Sequence, residues 1–160
     1  MKTDVTLLEI DDRIINNFEF WNQQLYLNTK IIKYDAVKPI LTEIKDGEKF
    51  DIFCVNPPYG SKNYLYGAKV WISRCLKHLK VGGEGLIILP IDYKYPWSLQ
   101  NMIILQEFLT DNNCIIFKID KDVHLYENKK DKELYSSNIW IKKLENSEAL
   151  IEEAQDNLYR

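Results

Sequence analysis

Apolar and polar positions along this chain fall into short blocks that predict strand and helix in alternation. Val5 to Glu9 is an apolar run that closes on an acid. Asp12 then caps a segment in which Ile14, Ile15, Phe18, Trp21 and Leu25 recur at helical spacing. Lys30 to Tyr34 reads as a second strand ending at Asp35, and a loop or short helix around Pro39 to Lys45 leads through Asp46-Gly47 to the strand Phe50 to Val55. Tyr66 to Leu79 predicts a helix, stopped by Gly82-Gly83. Gly85 to Pro90 is a continuous apolar run, the pattern of a strand buried on both faces. Trp97 to Thr110 is helical, Cys114 to Ile119 is a strand, and Ser136 to Lys143 is a strand of alternating character. Lys121 to Lys132 carries both signs of charge and reads as a solvated loop or hairpin tip, and Leu144 to Arg160 reads as a polar helical tail.

Alternating strands and helices imply an α/β fold with a parallel, doubly wound sheet. The last two strands have no helix between them, so the sheet ends in an antiparallel hairpin. A length of 160 residues gives one domain, residues 1–144, followed by the tail at 145–160. The chain is 46% hydrophobic and 28% charged, the balance of a soluble globular protein. No apolar run approaches the roughly 18 residues of a membrane helix, and Met1-Lys2-Thr3-Asp4 does not open a signal peptide. Cys54, Cys75 and Cys114 are widely spaced in apolar contexts, as expected of reduced core residues in a cytoplasmic protein. His78 and His124 lack metal-ligand spacing. A net charge of −3 argues against a sequence-independent grip on nucleic acid and suits a polycationic small substrate.

The chemistry concentrates at predicted strand ends. Asn56-Pro57-Pro58-Tyr59 follows the strand Phe50 to Val55. Its prolines lack N–H donors and hold φ at about −65°, leaving the carbonyls of Asn56 and Pro57 to accept hydrogen bonds. The Asn56 amide oxygen adds an acceptor, and Tyr59 can stack on a flat group or cover a cation. Such a cup suits an amine nucleophile held by its N–H groups; the structural alternative is an Asn that closes a strand above a Pro-Pro turn. Glu9, at the first strand's end, can accept both hydroxyls of a ribose, or else belongs to an acidic helix start with Asp11 and Asp12. Asp35, at the second, can accept an exocyclic amine or cap the next turn. Open sheets place ligands outside the carboxyl ends of their strands, and all three residues sit at such ends. Tyr93, Tyr95 and Trp97 follow the strand ending at Pro90 and can wall a pocket or pack in the core.

The plan resembles the class I S-adenosylmethionine-dependent transferases, and Leu8-Glu9-Ile10-Asp11 is similar to the ribose-binding segment of spermidine synthases. A fuller likeness, over most of residues 4–143, is to the C-terminal catalytic domain of the branched-chain polyamine synthases, N4-bis(aminopropyl)spermidine synthase. It is carried by Ile10-Asp11-Asp12-Arg13-Ile14-Ile15, Tyr34-Asp35-Ala36-Val37-Lys38-Pro39-Ile40, Phe50-Asp51-Ile52-Phe53, Pro57-Pro58, Ser98-Leu99, Asn113-Cys114-Ile115-Ile116 and Tyr126-Glu127, in that order. The resemblance implies a Rossmann-like methyltransferase sheet and transfer of an aminopropyl group from decarboxylated S-adenosylmethionine to a polyamine amine. It gives Glu9 the ribose, Asp35 the adenine, with Ile10 and Ala36 beside them, and gives Asn56, Pro57 and Tyr59 the attacking amine.

Two departures stand out. The family usually has Asp at the position of Asn56, and Asn-Pro-Pro-Tyr is the signature of amino methyltransferases that use S-adenosylmethionine. The family's first strand and glycine-rich loop, which would precede Val5, have no counterpart here. That strand occupies the sheet centre, between the strands at Val5 and Phe50, so its absence leaves facing edges with unpaired backbone groups. The expectation is a longer protein, a partner segment, an oligomer, or edges that close on each other. Three functions stay open at this point: an aminopropyltransferase-like domain, an N-methyltransferase, and a non-catalytic remnant or interaction module.

Overall fold

The computed structural model describes residues 4–39, 44, 47–59, 64–126 and 133–155. Nine elements follow one another: β1 (Val5–Glu9), α1 (Asp12–Gln24), β2 (Thr29–Lys33), β3 (Phe50–Val55), α2 (Tyr66–His78), β4 (Leu79–Pro90), α3 (Pro96–Asp111), β5 (Cys114–Tyr126) and β6 (Leu134–Lys143). The fold is of the doubly wound α/β kind, and its sheet is interrupted. Strands β1 and β2 form a parallel pair, while the other four form a sheet of order β3-β4-β6-β5. Pairing of β3 with β4 is parallel, and β4-β6 and β5-β6 are antiparallel. The expected closing hairpin is present. The facing edges of β1 and β3 do not pair with each other.

Register decides which side chains make the core. Phe53, Gly85 and Ile141 lie in one row across the sheet, and Val55, Ile87 and Ile139 in the next. With Leu65, Ile72 and Leu76 of the α2 region and Leu105 and Leu109 of α3, they form one buried cluster. The opposite face carries Ile52 and Cys54 on β3 with Leu86 and Trp140 behind them, and Ile52 is 53% exposed. Cys54 is exposed as well, so the expectation of three core cysteines fails at this position: Cys114 alone is buried, and Cys75 is half-buried.

Several boundaries differ from the sequence reading. Asp11, not Asp12, is the N-cap of α1, accepting from Arg13 N; Arg13 holds its carboxyl down at about 2. Of the apolar stripe on α1, only Ile15 is buried. Gly82-Gly83 does not stop α2, because the chain turns into β4 directly at Leu79. The glycines sit in a bulge, between the pairs Phe50↔Leu79 and Ile52↔Glu84. There Gly82 takes φ +80°, and a side chain on Gly83 would collide with the Asp51 and Lys80 carbonyls. Strand β5 continues through residues expected to form a loop, as far as Tyr126. Most of the segment expected around Pro39 to Lys45 lies outside the described residues.

The predicted tail helix is absent among residues 144–155. These run instead as a strap: Ala149 N donates to Asn112 Oδ1, Ile151 N to Ser73 Oγ, and Gln155 N to the Tyr66 hydroxyl. No helix among the described residues is long and apolar enough to cross a membrane.

Lys143 is buried at 3% exposure, and its Nζ donates to the carbonyls of Leu76 at 2.7 Å and Leu79 at 3.2 Å. It thereby caps the last turn of α2, and burial pushes its pKa down. Lys143→Met would leave both carbonyls without that donor. We expect a loss of about 1–2 kcal/mol in urea unfolding, and an unchanged midpoint would show that other groups take over the cap.

Candidate functional site

Each site residue predicted at a strand end is placed by the turn that follows its strand. Glu9 ends β1, and its Oε1 accepts from Ile10 N at 2.7 Å and Asp11 N at 2.9 Å. One carboxylate oxygen is thus spent on fixing the side chain, and Oε2 has no partner among the described residues. Asp35 follows β2 and repeats the device: Oδ1 accepts from Val37 N at 3.0 Å, an Asx turn. Tyr34, beside it, is buried, and its hydroxyl donates to Lys38 O. Burial first, and Asp35's charge to a lesser degree, push this phenol up to about 12.

Asn56 is exposed just past β3, Pro57 is buried and Tyr59 is half-buried. Tyr59 stacks on Trp97, with ring centres 6.0 Å apart and planes at 10°, and Tyr95 leans against the same indole. One face of Tyr59 is therefore already covered. The loop between β4 and α3 is braced by Ser98, whose hydroxyl donates toward the carbonyls of Asp92 and Tyr95 and accepts from Asp92 N. From the hairpin, Lys121 Nζ lies 4.1 Å from the centre of the Tyr93 ring, and Glu133 pairs with Lys94 at 2.9 Å.

A cavity of about 550 Å³ opens between β1 and β3. Glu9, Ile10, Ala36 and Asn56 line it; Asp35, Pro57 and Tyr59 stand outside its wall. Four of the seven predicted residues thus share one space, which runs along β1 from Asp4 to Ile10 and along β3 from Phe50 to Asn56. The arrangement offers carboxylate and amide oxygens at its rim over an apolar floor, which suits a nucleoside with hydroxyl and amine donors.

Sequence reasoning missed three residues of α2. Trp71, Arg74 and His78 follow the i, i+3, i+7 spacing of one helix face and line the same cavity. Trp71 Nε1, Arg74 Nη2 and His78 Nε2 are buried without a hydrogen-bond partner among the described residues. Arg74 Nη1 donates to the carbonyls of Ile151 and Glu152, and Nε to Ala36 O. The spacing was the available signal, but a lone Arg and a lone His on a helix read as solvated positions. Cys75, on the same helix, has its thiol pushed up to about 12 by burial, which leaves it inert as a nucleophile at neutral pH.

His78 Nδ1 lies 3.2 Å from Glu48 O, so the neutral ring carries its proton on Nδ1. Burial pulls its pKa below the ordinary 6.5. The unfolded chain therefore binds a proton on this ring at higher pH than the folded chain does, and stability is lost as pH falls below about 6.5. We expect urea midpoints to drop between pH 7 and pH 5, and the drop to shrink in His78→Gln. Identical slopes in both proteins would place the acid sensitivity elsewhere.

Comparison with known proteins gives one consistent picture. The sequence profile of the branched-chain polyamine synthase A C-terminal domain matches residues 1–157. An uncharacterized protein of Methanocaldococcus jannaschii is 27% identical over 127 residues, 79% of this chain and 30% of its own. Among solved structures, the branched-chain polyamine synthase of Thermus thermophilus, in complex with N4-aminopropylspermidine and 5′-methylthioadenosine, superposes with a TM-score of 0.80 at 20% identity. That match takes in 98% of this chain and 48% of the other. An rRNA methylase of Streptococcus thermophilus shares the fold more distantly, with a TM-score of 0.53 at 13% identity over 89% of this chain and 74% of its own. The chain thus spans less than half the length of the first two relatives.

Proposed function

The chain belongs to the branched-chain polyamine synthase A C-terminal domain family, and from that premise we propose that it carries an aminopropyl-transfer site. The donor in this reading is decarboxylated S-adenosylmethionine, and the acceptor is a secondary amine of a polyamine such as spermidine. One observation carries the proposal: Glu9, Ile10, Ala36 and Asn56, at the carboxyl ends of β1, β2 and β3, line a single cavity that runs along β1 and β3. Glu9 keeps its unpartnered Oε2 for the ribose hydroxyls, the Asp35-Ala36 turn faces the adenine, and Asn56 with Pro57 receives the amine. These groups fit the nucleoside half of the donor.

The transfer balances without a further reactant. A neutral amine donates its N–H to the acceptors at Asn56 and Pro57, which aims its lone pair at the methylene carbon bonded to the sulfonium. The N–C bond forms as the C–S bond breaks. Sulfur keeps the bonding pair and departs in 5′-methylthioadenosine, and the alkylated nitrogen releases its proton to water. Tyr59, held flat by Trp97, serves as a wall of the amine pocket. In this reading the chain's partners are a polyamine and a further copy or preceding segment that completes the sheet.

Calorimetric titration with decarboxylated S-adenosylmethionine, S-adenosylmethionine and 5′-methylthioadenosine tests the proposal. Preference for the decarboxylated donor is expected. Glu9→Gln keeps the oxygen that accepts from Ile10 N and Asp11 N but removes the charge, so affinity for all three should fall by roughly ten- to a hundredfold. Preference for the carboxylated form would favour a second reading, an N-methyltransferase, for which Asn56-Pro57-Pro58-Tyr59 is the specific support. Binding of none of the three would leave an interaction module.

A further inference from the structure

We propose that the face of the Tyr93 ring is a seat for one protonated arm of the acceptor polyamine, and that Lys121, which fills it here, is a built-in competitor for that arm. The inference rests on the aminopropyl-transfer reading for the identity of its ligand. It concerns a place apart from the nucleoside cavity, which neither residue lines.

The chain's own ammonium marks the seat. Lys121 Nζ lies 4.1 Å from the centre of the Tyr93 ring, within reach of a cation–π contact. Among the described residues it pairs with no carboxylate, although Asp120 and Asp122 flank it in sequence. Asp120 instead meets Lys118 Nζ and Trp140 Nε1, each at 3.0 Å. The backbone sets this arrangement. Between the pairs Asp120↔Asn138 and His124↔Ser136, residues 121–123 stand against Ser137 alone, and Asp122 takes φ 55°. A bulge of this kind re-aims a side chain and takes its residues out of the ladder. Tyr93 is 77% exposed, so water screens the contact and leaves it weak enough to exchange.

Position connects the seat to the amine cup. Tyr93 belongs to the loop that leaves the carboxyl end of β4, and Asn56 leaves the same end of its parallel neighbour β3. An aromatic row joins them: Tyr59 stacks on Trp97, and Tyr95, two residues from Tyr93, leans on the same indole. The loop is pinned on both sides of Tyr93. Asp92 Oδ1 accepts from Lys94 N at 2.8 Å, and the Lys94 ammonium meets Glu133 at 2.9 Å. The two ends of the row ask for different protonation states. Acceptors at Asn56 suit a neutral amine whose lone pair attacks, whereas the face of an aromatic ring attracts a cation. Polyamine nitrogens are mostly protonated at neutral pH, as a lysine amine is. A seat that retains one end as ammonium leaves an inner nitrogen to reach Asn56 in its neutral form. Tyr93 thereby helps to choose which nitrogen is alkylated. Lys121, itself a primary alkylammonium, mimics the arm that it excludes.

NMR of the full chain, with spermidine as the probe, provides the test. We expect the Tyr93 ring to shift the side-chain methylene protons of Lys121 upfield in the free protein. Added spermidine should return them toward ordinary lysine positions, and Tyr93→Leu should abolish the upfield shift from the start. In calorimetric titration, Lys121→Gln should tighten spermidine binding about two- to fivefold, the worth of an exposed ammonium–ring contact. In the Tyr93→Leu background the same substitution should leave affinity unchanged, because there the lysine has no ring to vacate. Both residues are exposed, so neither variant disturbs the core. The proposal is overturned by Lys121 protons that stay in place at saturating spermidine, by absence of spermidine binding, or by an affinity indifferent to Lys121→Gln. An equal gain in both backgrounds also overturns it, since net charge alone would then explain the effect. Titration with 5′-methylthioadenosine is read separately. Nucleoside binding with Lys121 unmoved defeats this inference and leaves the transfer reading standing; displacement of Lys121 without nucleoside binding does the reverse.

Discussion

Asn56→Ala is expected to lower kcat/KM for amine alkylation by roughly a hundred- to a thousandfold, about 2.7–4 kcal/mol of transition-state stabilisation. The side chain stands exposed at the end of β3, where the reaction asks for acceptors that hold an amine by its N–H groups and leave its lone pair free. Alanine keeps the backbone carbonyl and removes the amide oxygen, so the nucleophile loses one of the acceptors that aim it. Asn56→Asp restores an acceptor of similar size and should stay within about tenfold of the wild type. Single-turnover assays with decarboxylated S-adenosylmethionine and spermidine separate the two variants. Equal rates in wild type and Asn56→Ala would remove this residue from the chemistry. Loss in both variants would point to its amide N–H groups.

Gly85→Ala should cost about 2–3 kcal/mol. A Cβ on Gly85 would stand 2.3 Å from Phe53 Cζ, 2.5 Å from Phe53 Cε1 and 2.9 Å from Ile141 Cγ1. Phe53 crosses over Gly85 within the sheet and packs against the main core, so its ring has to swing out of a filled space. The measure is the urea midpoint at constant slope. Phe53→Leu shortens the offending ring, and the double variant should recover part of the loss, giving a coupling energy that the single variants cannot. Additive effects would locate the strain elsewhere.

The parts of the candidate site that could be read in the sequence were those where polar chemistry ends an apolar run. Glu9, Asp35 and Asn56 each follow such a run, and strand direction then places them at one end of the sheet. Arg74 escaped notice because an isolated charge on a helix is normally solvated; its burial depends on Ala36 and on the 151–152 carbonyls, distant in sequence. The tail shows the same override. Residues 148–154 have helical composition, yet their backbone groups bond to Asn112 and Ser73 instead, because tertiary partners outweigh weak propensity. Gly82-Gly83 was ambiguous for another reason. Helix stop and strand bulge both use glycine, and only the pairing of Phe50 with Leu79 decides between them. Cys54 looked like a core residue because its neighbours are apolar, but among the described residues it stands exposed.

The strap at 149–155 also sets an order of events. Its bonds to α2 join residues 77, 78 and 89 positions apart, so each closes a long loop. Strands and helices assemble from nearer contacts first, since long loop closures are slow. Arg74 thus gains its carbonyl partners late, and the wall of the cavity that it forms is finished only when the strap closes on α2.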